Sequence, residues 1–176
     1  MHTYLNSDFR RLTASMQSML DSFQQHTDAH LNTPMDTGKW SAAQTTWHVI
    51  RALEVSLNYV EYKLSQPHRF GRAGVGSWIR GKLLVGILNS ERKFKASSAT
   101  AEVPEYMSRE SLVDYTTAQT RRLQKILDAF PPHLHSRTVF KHPFAGRLTI
   151  RQMLASMHAH TQHHKKQTDR FLSGQP

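Results

Sequence analysis

Apolar residues recur at intervals of three and four along four segments of the chain, which is the spacing of one face of an α-helix. The first segment runs from about Ser7 to about His30, and its polar start at Ser7 and Asp8 predicts an N-cap. Pro34 and Gly38 then interrupt the pattern. We therefore expect a first long helix that ends before this break.

The second predicted helix begins at Ser41, and Gln44 stands three residues later, where a capping box requires it. The helix extends to about Gln66. It is apolar on two roughly opposite faces: Ala43, Trp47, Ile50, Leu53, Leu57, Val60 and Leu64 on one, and His48, Ala52, Val55 and Tyr59 on the other. We expect one face to line a bundle interior and the other to pack on an insertion or a partner subunit.

Residues 67–104 differ in character, because five glycines interrupt a short amphipathic stretch, SWIRGKLLVGIL. The stretch KASSATAEVP that follows it has the composition of an exposed loop. We interpret 67–104 as an inter-helix connection that contains one short helix.

The third predicted helix starts near Ser108 and ends at Pro131, and the fourth runs from a Thr149 cap to about Leu172. No internal repeat or β-strand pattern is evident. The predicted fold class is all-α: a four-helix bundle with a long crossover between helices 2 and 3. Residues 1–176 are expected to form a single domain, with 67–104 as its insertion.

The chain has 176 residues and no cysteine, which excludes cysteine zinc sites, iron–sulfur clusters and a thiol nucleophile of its own. Its N-terminus lacks the apolar region of a signal peptide, and no stretch is apolar for long enough to span a bilayer. We therefore expect a cytoplasmic protein without a transmembrane segment.

The formal net charge is +10, but lysine and arginine are spread along the chain, with modest clusters at 69–80 and 92–95. No run is dense enough to indicate specific nucleic-acid binding. The charge also permits a different function, in which a basic helical protein associates with a membrane surface through SWIRGKLLVGIL and its flanking cations.

Four histidines fall within HAHTQHH, residues 158–164. Continuing the apolar series of the fourth helix places His160 and His164 on the face toward the core, one turn apart. His158 points away from that face and is expected to be solvated, whereas His163 lies at its edge. Two helical histidines at this spacing hold a zinc ion in known metalloproteases.

A metal site needs a third protein ligand, and the candidates are His48 in the second helix and His26 or His30 at the end of the first. The competing interpretation is that these are hydrogen-bonded core histidines. His133, His135 and His142 lie in turn or loop sequence and are expected at the surface. Ligands of this kind suit zinc, nickel, iron or copper.

Two stretches, WSAAQTTWHVIRALE and LTIRQMLASMHAHTQHHKKQ, together resemble the DinB-like superfamily, and HPFAGRLT resembles the turn before its last helix. The family pattern is a Trp-Ser opening to helix 2, a histidine eight residues after that tryptophan, and a helix-4 H-x-x-x-H. Here these are Trp40, Ser41, His48, and the pair His160 and His164.

The resemblance implies one divalent metal ion, zinc or nickel, on His48, His160 and His164, with a water completing its shell. It also implies a homodimer. Characterised relatives transfer low-molecular-weight thiols or use one as a cosubstrate. The implied function is therefore a metal-dependent enzyme acting on a small-molecule substrate, and the transfer of such a thiol to an electrophile is one reaction it suggests.

Arg51, Arg80 and Lys82 are candidates for a basic rim around the thiol. The alternatives are a non-catalytic metal-binding stress or interaction protein, and the membrane-surface protein described above.

Overall fold

The computed structural model describes residues 3–66, 70–90 and 98–174. Four long helices dominate it: α1 (Thr3–Asp21), α3 (Ala42–Leu64), α6 (Arg109–Asp128) and α7 (Ile150–Leu172). Shorter helices are α2 (Asp28–Leu31), α4 (Val75–Leu88), α5 (Ser98–Ala101) and a 3₁₀ turn, Pro132–Leu134. Four short strands complete it: β1 (Gly71–Arg72), β2 (Arg137–Thr138), β3 (Phe140–His142) and β4 (Gly146–Leu148).

The four long helices pack around one hydrophobic core, in which α1 lies against α6 and α7, and α3 lies against the same two helices. The crossover between α3 and α6 is long, as predicted, but its described part contains two helices, α4 and α5, where one was predicted. Within the described residues, no helix combines the length and the apolar character needed to cross a bilayer. The mostly helical bundle thus has α3 and α7 as neighbours, and these helices carry the predicted ligands.

Side-chain caps start the two ligand-bearing helices where the sequence predicts. Oγ of Ser41 accepts a hydrogen bond from the N–H of Gln44, whose side chain accepts one from the Ser41 N–H. Thr149 and Gln152 form the same reciprocal pair at the start of α7. These caps satisfy donors that would otherwise have no helical partner and so set the register of both helices.

The first predicted helix is wrong in its limits. The helix begins at Thr3, so Ser7 and Asp8 lie inside α1 and cannot cap it. It ends at Asp21 rather than near His30, and a turn leads into the short α2, which Thr27 caps. The carboxylate of Asp8 instead accepts a hydrogen bond from Arg151 of α7, at 2.9 Å.

The expectation of a strictly all-α fold is also corrected, because two small antiparallel sheets are present. β1 pairs with β2, and β3 pairs with β4 in a hairpin. Gly146 takes the positive φ of 69° that the hairpin turn needs. Strands of two or three residues are too short to show an alternating pattern in the sequence.

The crossover packs on the bundle rather than forming only an exposed loop. Ser77, Gly81, Leu84 and Leu88 of α4 are buried, and α4 packs against α7. The side-chain amide of Gln152 donates to the carbonyl of Ser77 at 2.8 Å. Residues 98–101 form α5 against α3, with Thr100 buried, so the loop predicted over 95–104 is wrong there; 95–97 lie outside the described residues.

Candidate metal centre

Three imidazoles from two helices meet at one point beside the core. His48 comes from the middle of α3, and His160 and His164 come from successive turns of α7. Nε2 of His160 lies 3.3 Å from Nε2 of His48 and 3.1 Å from Nε2 of His164. Among the described residues, this is the group of three whose nitrogens lie close enough together to hold one metal ion, within 4.8 Å of one another.

The nitrogen separations match those of ligands on a common metal. Zinc–nitrogen bonds of about 2.0–2.1 Å at tetrahedral angles place ligand nitrogens about 3.3 Å apart. The separations of 3.1 and 3.3 Å found here are close to that value. His160 therefore already lies at a suitable distance from both other imidazoles, and the nitrogens of the remaining pair lie within 4.8 Å of each other.

Hydrogen bonds on the far side of two rings determine where their protons lie. Nδ1 of His48 is 3.0 Å from the carbonyl oxygen of Thr100, and Nδ1 of His164 is 2.9 Å from Oε1 of Gln167. Both oxygens only accept, so each Nδ1 carries the proton and each Nε2 presents a lone pair. Gln167 is oriented by a second bond, from its amide nitrogen to Nε2 of His163 at 3.0 Å.

His160 faces both of these lone pairs with its own Nε2. A single N–H there can donate to only one of them, so hydrogen bonding alone cannot satisfy all three nitrogens. Nδ1 of His160 is buried, and no hydrogen bond to it is found in the part of the chain that the structure describes. The cluster is therefore poorly satisfied as a group of core histidines, whereas a cation among the three Nε2 atoms satisfies each lone pair.

All three rings are held neutral. Burial lowers the pKa of His48, and burial together with the neighbouring imidazoles lowers the pKa of His160 well below its usual value. Burial and the charge that His48 would carry lower the pKa of His164 to about 3. Neutral imidazole is the form that binds metals, so these nitrogens are ready to coordinate at neutral pH.

The other histidines of HAHTQHH lie outside this group of three. His158 is half-buried beside Arg11 of α1, and burial lowers its pKa, so the prediction that it is solvated is wrong. The ring of His163 lies edge-on to His164, at 5.2 Å between centroids, where the helical spacing placed it. Its link to Gln167 makes it a neighbour of the site.

The alternative third ligands, His26 and His30, are not near the site. Their rings stack on each other at 5.1 Å, and His30 stacks on Phe171 at the same distance. Both are half-buried at the end of the bundle where α7 finishes. Of the three candidates, only His48 meets His160 and His164.

The loop histidines were only partly predicted. His133 is exposed, but His135 stacks on Phe130 at 5.6 Å and is half-buried. His142 is half-buried in the β3–β4 hairpin, where its Nδ1 accepts from the N–H groups of Phe144 and Ala145. It is close enough to contribute to the lowered pKa of His160, so the expected surface position is wrong for His142 and His135.

The three basic residues predicted to surround the thiol lie on two different helices, α3 and α4. Arg51 pairs with Glu54, which also accepts a hydrogen bond from Tyr115 of α6, so this cation is engaged in a bridge between helices. Glu54 is not part of the histidine group. Arg80 and Lys82 are exposed on α4.

Two supporting groups were missed in the sequence. Gln167 stands three residues after His164 on the same helix face, a spacing that could have revealed it. The carbonyl of Thr100 had no such signal, because it is a backbone atom brought in by the crossover. The ring of Trp40 also lies against His48, with centroids 5.0 Å apart.

The stability of the metal-free protein is expected to fall as the pH drops below 6.5. In the unfolded chain the imidazoles of His160 and His164 bind protons near pH 6.5. In the folded chain they bind protons only at lower pH. Acidification therefore favours unfolding, by about 1 kcal/mol at pH 5.5 for each imidazole that stays neutral. Urea unfolding in chelator at pH 7.5 and 5.5 measures this difference.

A matched pair of variants assigns the effect. His164→Gln should reduce the difference between the two pH values, and His133→Gln, which changes an exposed imidazole, should leave it unchanged. Equal free energies of unfolding at both pH values in the wild-type protein would contradict the neutral, buried cluster.

Comparison with known proteins supports the same fold. The model of the DinB superfamily matches residues 11–168. YfiT from Bacillus subtilis, described as a probable metal-dependent hydrolase with an unusual four-helix bundle topology, superposes with a TM-score of 0.57 at 16% identity, over 100% of this chain and 91% of that one. A conserved protein from Enterococcus faecalis gives a TM-score of 0.60 at 17% identity, over 99% and 100% of the two chains.

Among curated proteins, no sequence match is found. The family model nevertheless spans most of the chain, and it includes all three converging histidines. Both structural relatives share the fold over almost their whole length. The chain belongs to the DinB superfamily.

Proposed function

We propose that the protein is a metal-dependent enzyme in which His48, His160 and His164 hold one divalent ion. We further propose that it activates a low-molecular-weight thiol for transfer to an electrophile. The observation that carries the proposal is the convergence of three Nε2 atoms, 3.1 and 3.3 Å apart along the pairs that share His160. Zinc and nickel are the ions that such a ligand set suits best, with iron and copper as alternatives.

The ligand set favours a site that remains open to a fourth ligand. Three protein ligands are the usual number in catalytic zinc sites, whereas structural sites use four. In the described chain no fourth histidine, aspartate or glutamate joins the three imidazoles. A fourth position is then available to a substrate or to water.

The charge of the ligand set favours an anionic fourth ligand. Three neutral imidazoles leave the charge of the ion uncompensated, so the site attracts an anion such as a thiolate. A divalent ion bound there acts as a Lewis acid that lowers the pKa of a coordinated thiol or water. Since the chain has no cysteine, a thiol nucleophile must come from a second molecule.

The residues around the site hold the ligands rather than react. The Thr100 carbonyl and the Gln167 side chain keep the protons of His48 and His164 on Nδ1, which leaves both Nε2 atoms free to bind. Trp40 covers one side of His48 and limits the access of water to that ring. These contacts fix the direction of two of the three lone pairs.

In the proposed transfer, the sulfur of the thiol forms a bond to an electrophilic carbon. The leaving group departs with its electron pair, and the thiol proton passes to solvent. When the electrophile is a polarised double bond, that proton ends on the adjacent carbon instead. No oxidant or reductant is needed, so the reaction requires only the thiol, the electrophile and the bound ion.

The proposal keeps the predicted single domain, homodimer and cytoplasmic location. We treat 1–176 as one DinB-like domain, because the family match covers 11–168 and the buried residues form one core cluster. The homodimer and the cytoplasmic location stay predictions. A metal-binding protein without turnover is the alternative that the experiment below tests.

Thiol-dependent loss of an electrophile tests the proposed reaction. Metal-loaded protein is incubated with a chromogenic haloarene and, separately, bacillithiol, mycothiol, glutathione or cysteine. We expect turnover with at least one thiol, loss of that turnover in His164→Ala, and retention in His133→Gln. Ester hydrolysis without any thiol would instead identify a hydrolase, the activity described as probable for YfiT. Full metal occupancy with neither reaction would favour the non-catalytic alternative.

A further inference from the structure

The outward face of α4 is apolar and uncovered. Val75 is 75% exposed, Trp78 60% and Leu83 59%, and Ile79 and Ile87 are also exposed. Single exposed apolar side chains are common on protein surfaces, but five on one 14-residue helix form a continuous patch. Exposed apolar patches of this kind mark sites where a protein contacts another protein, a ligand or a membrane.

The opposite face of α4 is already used. Ser77, Gly81, Leu84 and Leu88 are buried, and the helix packs against α7. Gly81 permits the close approach, since a Cβ there would lie 2.9 Å from the side-chain nitrogen of Gln152. The bond from Gln152 to the Ser77 carbonyl adds a polar anchor. The exposed apolar face is therefore held in place and cannot turn inward without loss of this packing.

Two basic side chains accompany the exposed face, one at its edge and one within it. At 100° per residue, Arg80 projects just beyond one edge of the patch, whereas Lys82 projects within it, between Trp78 and Val75; both are exposed. No acidic residue occurs in α4. Across the crossover 67–104 the basic residues far outnumber the acidic ones: the basic residues are Arg69, Arg72, Arg80, Lys82, Arg92, Lys93 and Lys95, and the acidic ones are Glu91 and Glu102.

The hairpin next to α4 extends the same surface. Nε of Arg80 lies 3.9 Å from the position that a Cβ of Gly146 would occupy, at the β3–β4 turn. Phe144 on that turn is 71% exposed. Phe144 and the exposed Arg147 thus add a ring and a cation to the hairpin that packs beside α4.

We infer that α4 docks the protein on an anionic membrane surface, with Trp78 and Leu83 entering the interface and Arg80 and Lys82 contacting lipid headgroups. Interfacial helices combine apolar side chains, tryptophan and leucine among them, with nearby cations, as α4 does. Anionic lipids complement the positive charge of the crossover. Pairing of α4 with α4 of a second copy would bring these cations together without an acidic partner on either helix.

Vesicle binding of the full chain tests the inference. Vesicles of phosphatidylcholine alone are compared with vesicles that also contain phosphatidylglycerol, because the negative surface potential of anionic lipids attracts basic segments. We expect co-sedimentation with the anionic vesicles only, weakened by salt, and a blue shift of tryptophan fluorescence that Trp78→Phe removes. Binding by His164→Ala should equal that of the wild-type protein, so failure of the metal site and failure of this inference remain distinguishable.

Three variants locate the contact. Leu83→Ser should weaken binding about tenfold through lost apolar burial. Lys82→Gln should weaken it about fivefold at low salt, the amount expected for one surface cation. Val113→Ser on α6 is the matched control, because Val113 is also exposed and lies outside the patch; it should have no effect. Thermal unfolding of each variant checks that folding is unchanged.

Absence of binding to anionic vesicles overturns the inference, as does equal weakening by Val113→Ser and Leu83→Ser. Sedimentation velocity supplies a further outcome against it. If the wild-type protein is a dimer that Leu83→Ser converts to a monomer, a second copy covers α4 and the membrane is not its partner.

Discussion

Replacing His164 by alanine is expected to abolish metal retention. The substitution removes one of three ligands and also the Gln167 contact that orients it. Substitutions of orienting groups alone cost about 10–100-fold in metal affinity, so loss of the ligand itself should cost at least about 100-fold. Elemental analysis after dialysis, on protein purified without a metal-affinity tag, measures the effect. His48→Ala and His160→Ala should give the same result.

His158→Ala is the matched control for this prediction. It changes a histidine of the same helix, six residues before His164, that lies beside Arg11 and not in the group of three. Its metal content should equal that of the wild-type protein. Equal loss in His158→Ala and His164→Ala would show that a different face of α7 binds the ion.

The second large effect is expected in the core between the ligand-bearing helices. Leu154 on α7 is fully buried, six residues before His160. Leu154→Ala should lower the free energy of unfolding by about 2–5 kcal/mol, through lost apolar burial and the cavity left behind. Urea denaturation of the metal-free protein measures this without the added stability of a bound ligand.

The same substitution at an exposed leucine provides the control. Leu83 on α4 is 59% exposed, so Leu83→Ala should change stability by no more than about 0.5 kcal/mol. A similar loss for both variants would mean that the outer face of α4 is covered in solution. A negligible loss for Leu154→Ala would contradict the position of α7 in the core.

The helices that carry the site were predictable because their signals are local. Ser41 with Gln44 and Thr149 with Gln152 are capping pairs three residues apart, and both form. The periodicity of α7 then placed His160 and His164 on its inner face. Choosing His48 over His26 and His30 needed the resemblance, because residue spacing along one chain does not say which helices become neighbours.

The errors arise where tertiary contacts override weak local patterns. Ser7 and Asp8 resemble a cap, but Leu5 is buried in the core, and its packing favours an earlier start of α1. The strands are too short for a periodic signal, and the pairing of β1 with β2 joins residues far apart in the chain. Thr100 lies in a segment of loop-like composition, yet its carbonyl reaches His48 because α5 packs on α3.

The burial of His158 illustrates the same limit within the site region. Its angle on α7 correctly separates it from His160 and His164. The side of α7 that it occupies, however, packs against α1 rather than facing solvent. In a bundle, a helix commonly contacts two partners, so leaving the metal-facing stripe does not mean reaching solvent. Helical angle alone therefore identifies the histidines that converge better than it separates buried residues from exposed ones.

An anomalous-diffraction map of protein purified without a metal-affinity tag tests the central claim most directly. We predict one peak per chain, about 2.0–2.1 Å from Nε2 of His48, His160 and His164, with a fourth position taken by a non-protein ligand. Elemental analysis of the same sample should give one divalent ion per chain. Ordered imidazoles with no peak between them, or a peak elsewhere on the chain, would contradict it.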